Sequence, residues 1–241
     1  MEHQLTWVEH LEELRKRLIV CLVVLGIASI FSLPFASWVL KILKLPAAGY
    51  IEKLAFFGPQ EAFLIYLRIA FLCGLIISLP VILSQFWAFI APAIESRLKK
   101  SAGSFIFFCS LSFISGCLFA YFILIPPALK FLLSFGKEDL EPVISASKYI
   151  SFVASLILAC GLVFQMPILS LILTKLGIIN SRMLRKKYKY AIAIIFTVAA
   201  IITPTVDAFN MLILALPMLF LYEVSIWISW LQFKTSKNII N

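Results

Sequence analysis

Charge is scarce in this chain. Asp, Glu, Lys and Arg make up 14% of its 241 residues, against about a quarter in soluble domains. Histidine occurs twice and in no HExxH arrangement, and no GxxxxGK loop is present, which argues against an ATP motor within the chain. No Ser or Cys has a base beside it, so an enzyme would have to work through a few carboxylates alone. The five cysteines fall inside apolar runs without CxxC or metal-ligand spacing and read as small buried hydrophobes. Internal repeats of the secondary-transporter kind, low-complexity tracts and a soluble domain are also lacking. Nothing here calls for a metal or a cofactor.

Apolar residues are plentiful instead, at 62%, with a mean hydropathy of +1.03. A core of this length does not hide so much apolar surface from water, so lipid is the solvent for most of it. Length then sets the number of spans, not of soluble domains. The sequence predicts an all-α integral membrane protein, one polytopic domain over 1–241. Runs near the roughly 20 residues that a bilayer requires lie at about 18–38, 62–84, 104–125, 149–173, 189–203 and 209–230. The fifth is short, and only Thr203-Pro204-Thr205-Val206-Asp207 separates it from the sixth, so these two are antiparallel neighbours. Residues 39–61, with Pro46, Gly49, Gly58 and Pro59, read as an interfacial cap with short helices.

Net charge is +9, but the basic residues sit between the apolar runs, where they face anionic lipid; no nucleic acid is implied. Fourteen Lys and Arg collect on one side of the six-span topology, among them Arg15–Arg17, Lys99, Lys100 and the cluster from Arg182 to Lys189; six collect on the other. The positive-inside rule therefore places both termini in the cytoplasm. The N-terminus is polar and acidic ahead of the first apolar run and does not read as a cleavable signal peptide.

One polar stretch stands out. Thr6 and Glu9 have capping-box spacing, so a helix starts there. Trp7, Leu11, Leu14 and Leu18 then recur at helical spacing, an apolar stripe that can lie on the membrane surface. Glu9, Glu12 and Glu13 make that surface acidic. Glu12–Lys16 and Glu13–Arg17 also have the spacing of ordinary surface ion pairs, worth about 0.3–0.5 kcal/mol each. The residues leave both readings open, a solvated face or an acidic patch for a cationic partner.

The run His10-Leu11-Glu12-Glu13-Leu14-Arg15-Lys16-Arg17-Leu18 resembles the HLxELRxRL signature of the TatC family, the signal-reading subunits of twin-arginine protein translocases. Further stretches are similar to that family in the same order: Leu79–Leu83, Gln85–Pro92, Phe119–Phe122, Phe164-Gln165-Met166-Pro167, Leu184–Lys187, Thr203-Pro204 with Asp207, and Leu216-Pro217-Met218. The resemblance covers nearly the whole chain. It implies a concave, cupped-hand-like six-helix bundle in the bacterial cytoplasmic (inner) membrane. Its work would be to bind twin-arginine signal peptides and to nucleate an oligomeric Tat complex with TatA/TatB-type single-span subunits. That complex moves folded precursors, driven by the proton motive force.

The same resemblance implies a signal-peptide site of Glu13 with Glu12, Arg15 and Phe89. The chemistry suits the assignment, because guanidinium groups stay charged and prefer bidentate carboxylates, which lysine matches poorly. Where the family carries a loop glutamate before a basic pair, this chain has Leu98 ahead of Lys99-Lys100. Glu95, one helical turn earlier, is the candidate replacement, or a partner for Lys99. Where the family often has an intramembrane glutamate, this chain has Gln165, which faces a partner helix or bonds within the protein. Thr203 and Asp207 flank the tight turn, with Asp207 suited to capping the sixth span and the neighbouring face to docking a single-span partner. A solute transporter with a midplane site and an intramembrane enzyme are the rival readings.

Overall fold

The computed structural model describes residues 7–49, 54–90, 102–134, 143–202 and 208–237. They are overwhelmingly helical, as expected of backbone that must satisfy its own hydrogen bonds in hydrocarbon. Helix α1 (Trp7–Ser32) passes through a 3₁₀ turn at Leu33–Phe35 into the short α2 (Ala36–Lys44). Helix α3 (Pro59–Ile90) follows, then α4 (Ala102–Phe119), which runs through a π turn (Ala120–Leu124) into α5 (Ile125–Leu132). Next come α6 (Ala146–Val163), α7 (Met166–Lys175), the short α8 (Ser181–Lys186), α9 (Tyr188–Ile202) and α10 (Ala208–Lys237). Among the described residues, five helical stretches are long and apolar enough to cross a bilayer. The sixth, α9, has 15 residues, about 22 Å, short of the ~30 Å hydrocarbon core.

Proline explains most of the irregularities. Pro167 cannot donate to the carbonyl of Val163, and the helix breaks at Phe164-Gln165 to give α6 and α7 where the hydropathy reads as one run. Pro126 and Pro127 likewise release carbonyls of the preceding turn, and the chain widens into the π turn there. Pro80 and Pro217 sit inside α3 and α10, which continue past them. The segment carrying the Trp7–Leu18 stripe is not a separate surface helix, since no breaker intervenes before Ser32, and it continues directly into the membrane-spanning part of α1.

Helices α1 and α3 are antiparallel and in close contact. Gly74 lies against Ser29 so tightly that a Cβ there would come within 2.6 Å of the Ser29 nitrogen and 2.7 Å of its Cα. Gly116 gives α4 the same approach to α6, where an added Cβ would meet the Cys160 carbonyl oxygen at 2.6 Å. Small residues at helix crossings are how membrane bundles gain packing without a hydrophobic drive between helices. The main core joins Ile69 and Leu72 of α3 to Leu124, Ile150, Val153 and Leu156, and reaches Leu214 and Met218 of α10. A smaller cluster of Trp87, Phe105, Cys109 and Ile172 closes one end.

The opposite end is tied by hydrogen bonds. Tyr121 and Tyr149 donate from their hydroxyls to the carbonyls of Ile42 and Leu43, each at 2.7 Å, fixing α2 to the bundle. Leu54–Ala55 and Ile144–Ser145 form a two-residue parallel ladder. Glu61 accepts from the Ser145 hydroxyl at 2.7 Å and from the Phe57 amide. Arg68 donates to the hydroxyls of Ser147 (2.9 Å) and Ser151. Glu61 and Arg68 therefore join elements far apart in sequence.

Candidate functional site

The polar start of α1 meets the end of α3. His10, Glu13 and Arg17 recur at i, i+3 and i+7, so they share one helical face, and that face is turned toward α3. His10 stacks on Phe89 with ring centroids 4.4 Å apart and planes 23° from parallel. Farther along, Arg17 donates through Nη1 to the Gln85 carbonyl at 3.3 Å and through Nη2 to Glu13 Oε1. With the Ser29–Gly74 crossing, these contacts fix the antiparallel register of the two helices.

Glu13 and Arg17 are each only about a quarter exposed, at 26% and 21% for the side chain. Their pair therefore lies in a medium of reduced dielectric, where a carboxylate–guanidinium contact gains more than in bulk water. Among the described residues Arg17 touches Glu13 at Oε1, leaving Oε2 open to a second donor. A quarter-exposed carboxylate oriented by one guanidinium is chemically suited to accept another. Glu12 lies on the next face outward and pairs with Lys16 at 3.0 Å, both well exposed. Arg15 is exposed beside it.

The structure thus brings Glu13 and Phe89 together, with Glu12 and Arg15 on the flank. Two further members were not singled out from sequence, His10 and Gln85. His10 was legible as the residue one helical turn before Glu13; Gln85 contributes through its backbone, which no side-chain pattern signals. Glu95 and Leu98 lie outside the described residues, as do Thr203 and Asp207.

Gln165 sits in the break between α6 and α7 and donates from Nε2 to the Cys109 carbonyl of α4 at 3.1 Å. Nearby, the Ser112 hydroxyl donates to the Phe164 carbonyl at 2.6 Å, so α4 supplies partners on both sides of the break. Glu223, which has no partner legible in sequence, pairs with Arg185 of α8 at 3.7 Å across an exposed surface. Tyr222 beside it donates to the Leu184 carbonyl at 2.9 Å. Among the described residues no group of His, Cys, Asp or Glu is arranged to hold a metal ion.

Comparison with known proteins gives one consistent answer. Residues 9–217 match the family model for TatC, described as Sec-independent protein translocase protein. The Sec-independent protein translocase protein TatC of Aquifex aeolicus is 42% identical over 235 residues, covering 96% of this chain and 97% of the relative. That of Carboxydothermus hydrogenoformans is 39% identical over 225 residues, 93% of each. A crystal structure of the twin arginine translocase receptor TatC superimposes with a TM-score of 0.81 at 41% identity, over 92% of this chain and 98% of the other. A second crystal structure of such a receptor, in DDM, gives 0.83.

Proposed function

The chain belongs to the TatC family of Sec-independent protein translocase proteins, and from that premise we propose that it reads twin-arginine signal peptides through Glu13. It is a membrane-embedded component of protein transport, not an enzyme. The observation that carries the reading is a partly buried Glu13 whose Oε1 is held by Arg17 and whose Oε2 has no hydrogen-bond donor among the described residues. An incoming guanidinium takes Oε2, while Phe89, braced by His10, offers an aromatic surface on which an arginine plane stacks. Glu12 and Arg15 shape the approach and tune the field around the peptide.

In this reading the α1 start and the α3 end face the cytoplasm, on the inner membrane, in keeping with the distribution of Lys and Arg. Glu95 supplies the second carboxylate in place of Leu98. Single-span TatA/TatB-type subunits dock beside α9, near Thr203 and Asp207, and Gln165 braces the α6–α7 break that such a helix would press on. The proton motive force supplies the energy for moving folded precursors.

Export of a folded twin-arginine precursor in cells carrying Glu13→Ala tests the proposal. Export should fall to background while the variant still accumulates in the membrane. Normal export would remove Glu13 from the site. Glu95→Ala is the companion variant, expected to weaken export only if that residue stands in for the loop glutamate.

A further inference from the structure

A cleft between α3, α4, α7 and α10 lies apart from the Glu13 site. It encloses about 520 Å³ and is lined by Trp87, Phe105, Phe108, Leu111 and Leu171 among others. Trp87 and Phe105 are buried and pack with ring centroids 4.3 Å apart, whereas Phe108 is 58% exposed and Leu111 50%. The cleft is therefore closed on one side by aromatic rings and open on the other toward the flank of the bundle. Its few hydroxyls are largely spoken for: Ser112 donates to the Phe164 carbonyl and Ser115 to that of Leu111. Among the described residues Lys175 is the one charged residue in the lining. It is half-buried, and no hydrogen bond or ion pair joins it to another described residue.

We propose that this cleft is a lipid site, in which one acyl chain of an anionic phospholipid lies along Trp87, Phe105 and Leu171 while its phosphate pairs with Lys175. The walls accept hydrocarbon, and an ammonium partly withdrawn from water gains from a counter-charge beside it. Lys175 ends α7 just ahead of α8, whose Arg182, Arg185 and Lys186 make the same end of the bundle basic and draw anionic headgroups.

Charge and shape favour a lipid over a protein segment. A helix is about 10–12 Å across with its side chains, so two turns, roughly 1,000 Å³, would stand largely outside the cleft, whereas a single acyl chain lies within it. Taking a methylene as about as large as a water's ~30 Å³ share of the liquid, the space suits a single chain of roughly 17 carbons. Moving that chain from bilayer to cleft gains little, because lipid tails are as apolar as the walls. Selectivity must therefore come from the headgroup and Lys175.

The test uses the full chain with Trp87 as the sole tryptophan, the other four changed to Phe, in phosphatidylcholine nanodiscs. Chain-brominated phosphatidylglycerol or chain-brominated phosphatidylcholine is added, and quenching of Trp87 is followed. Phosphatidylglycerol should reach half-quenching at about fivefold lower mole fraction, the factor one lysine near an anionic lipid supplies, and K175Q should erase that difference. S115F, which fills the cleft, should reduce quenching by both lipids. Equal quenching by the two lipids, or a preference that survives K175Q, would overturn the proposal. So would a Trp87 signal that responds only to an added single-span partner helix. If the single-tryptophan chain does not fold, native mass spectrometry of the unaltered chain decides: phosphatidylglycerol retained and lost in K175Q supports the site, and equal retention refutes it.

Discussion

Gly74→Ala should loosen the signal site from about 24 Å away. The added methyl would stand 2.6 Å from the Ser29 nitrogen and 2.7 Å from its Cα, both backbone atoms that no rotamer change can move. Helix α1 must therefore shift away from α3 by several tenths of an ångström or more. Overpacking of this kind costs about 1–3 kcal/mol, and for a chain of this size each kcal/mol lowers the midpoint by about 2–4 °C. Glu13 lies 16 residues from Ser29 along α1, roughly 24 Å at 1.5 Å per residue. A displaced helix carries that length as a lever, opening the His10–Phe89 stack and stretching Arg17 from Gln85. Thermal unfolding followed by tryptophan fluorescence, together with peptide binding, reads both effects. Adding Ser29→Ala should not restore either, because the clash is with backbone and not only with the hydroxyl. An unchanged midpoint with full peptide affinity, or full rescue by Ser29→Ala, would refute the reasoning.

Other consequences are more local. Tyr149→Phe strands the buried Leu43 carbonyl and should cost about 1–3 kcal/mol; combined with Tyr121→Phe, whose partner is the adjacent Ile42 carbonyl, the double variant should depart from additivity by at least about 0.5 kcal/mol. A thermal midpoint series checks both. Glu223→Gln breaks an exposed pair with Arg185 and should change stability by no more than about 1 kcal/mol; loss of transport with intact folding would instead give Glu223 a functional role. Leu98→Glu should preserve or tighten signal-peptide binding, measured by titration, and a large loss would contradict the placement of Leu98 at the loop glutamate position.

The helical architecture was legible because lipid removes most alternatives: apolar runs of spanning length leave the backbone little else to do. Prolines mark the irregularities at Pro167 and Pro126-Pro127 once the structure is known, but the sequence reads 149–173 and 104–125 as unbroken runs. Hydropathy alone could not find the break at Phe164-Gln165, because Phe164 and Met166 are as apolar as their neighbours. Nor did it show that α1 runs unbroken from Trp7, since an amphipathic stripe looks alike on a separate surface helix and on the protruding end of a span. The site was legible only in part. The helical period put His10, Glu13 and Arg17 on one face, but nothing in sequence says that this face meets Phe89 and the Gln85 carbonyl, contacts that span 79 and 68 residues and depend on the Gly74 crossing. The Arg185–Glu223 pair was hidden for the same reason.

The central claim is that Glu13 reads guanidinium groups. The direct measurement is binding of a twin-arginine signal peptide and its twin-lysine counterpart to the purified protein in nanodiscs, for the unaltered chain and Glu13→Ala. A charge-assisted bond in this partly buried setting is worth about 1.5–3 kcal/mol, so Glu13→Ala should weaken binding of the arginine form by roughly ten- to a hundredfold, and the unaltered chain's preference for the planar guanidinium over the ammonium should vanish with it. Equal affinity for the two peptides, or a preference that survives Glu13→Ala in a well-folded protein, would contradict the account.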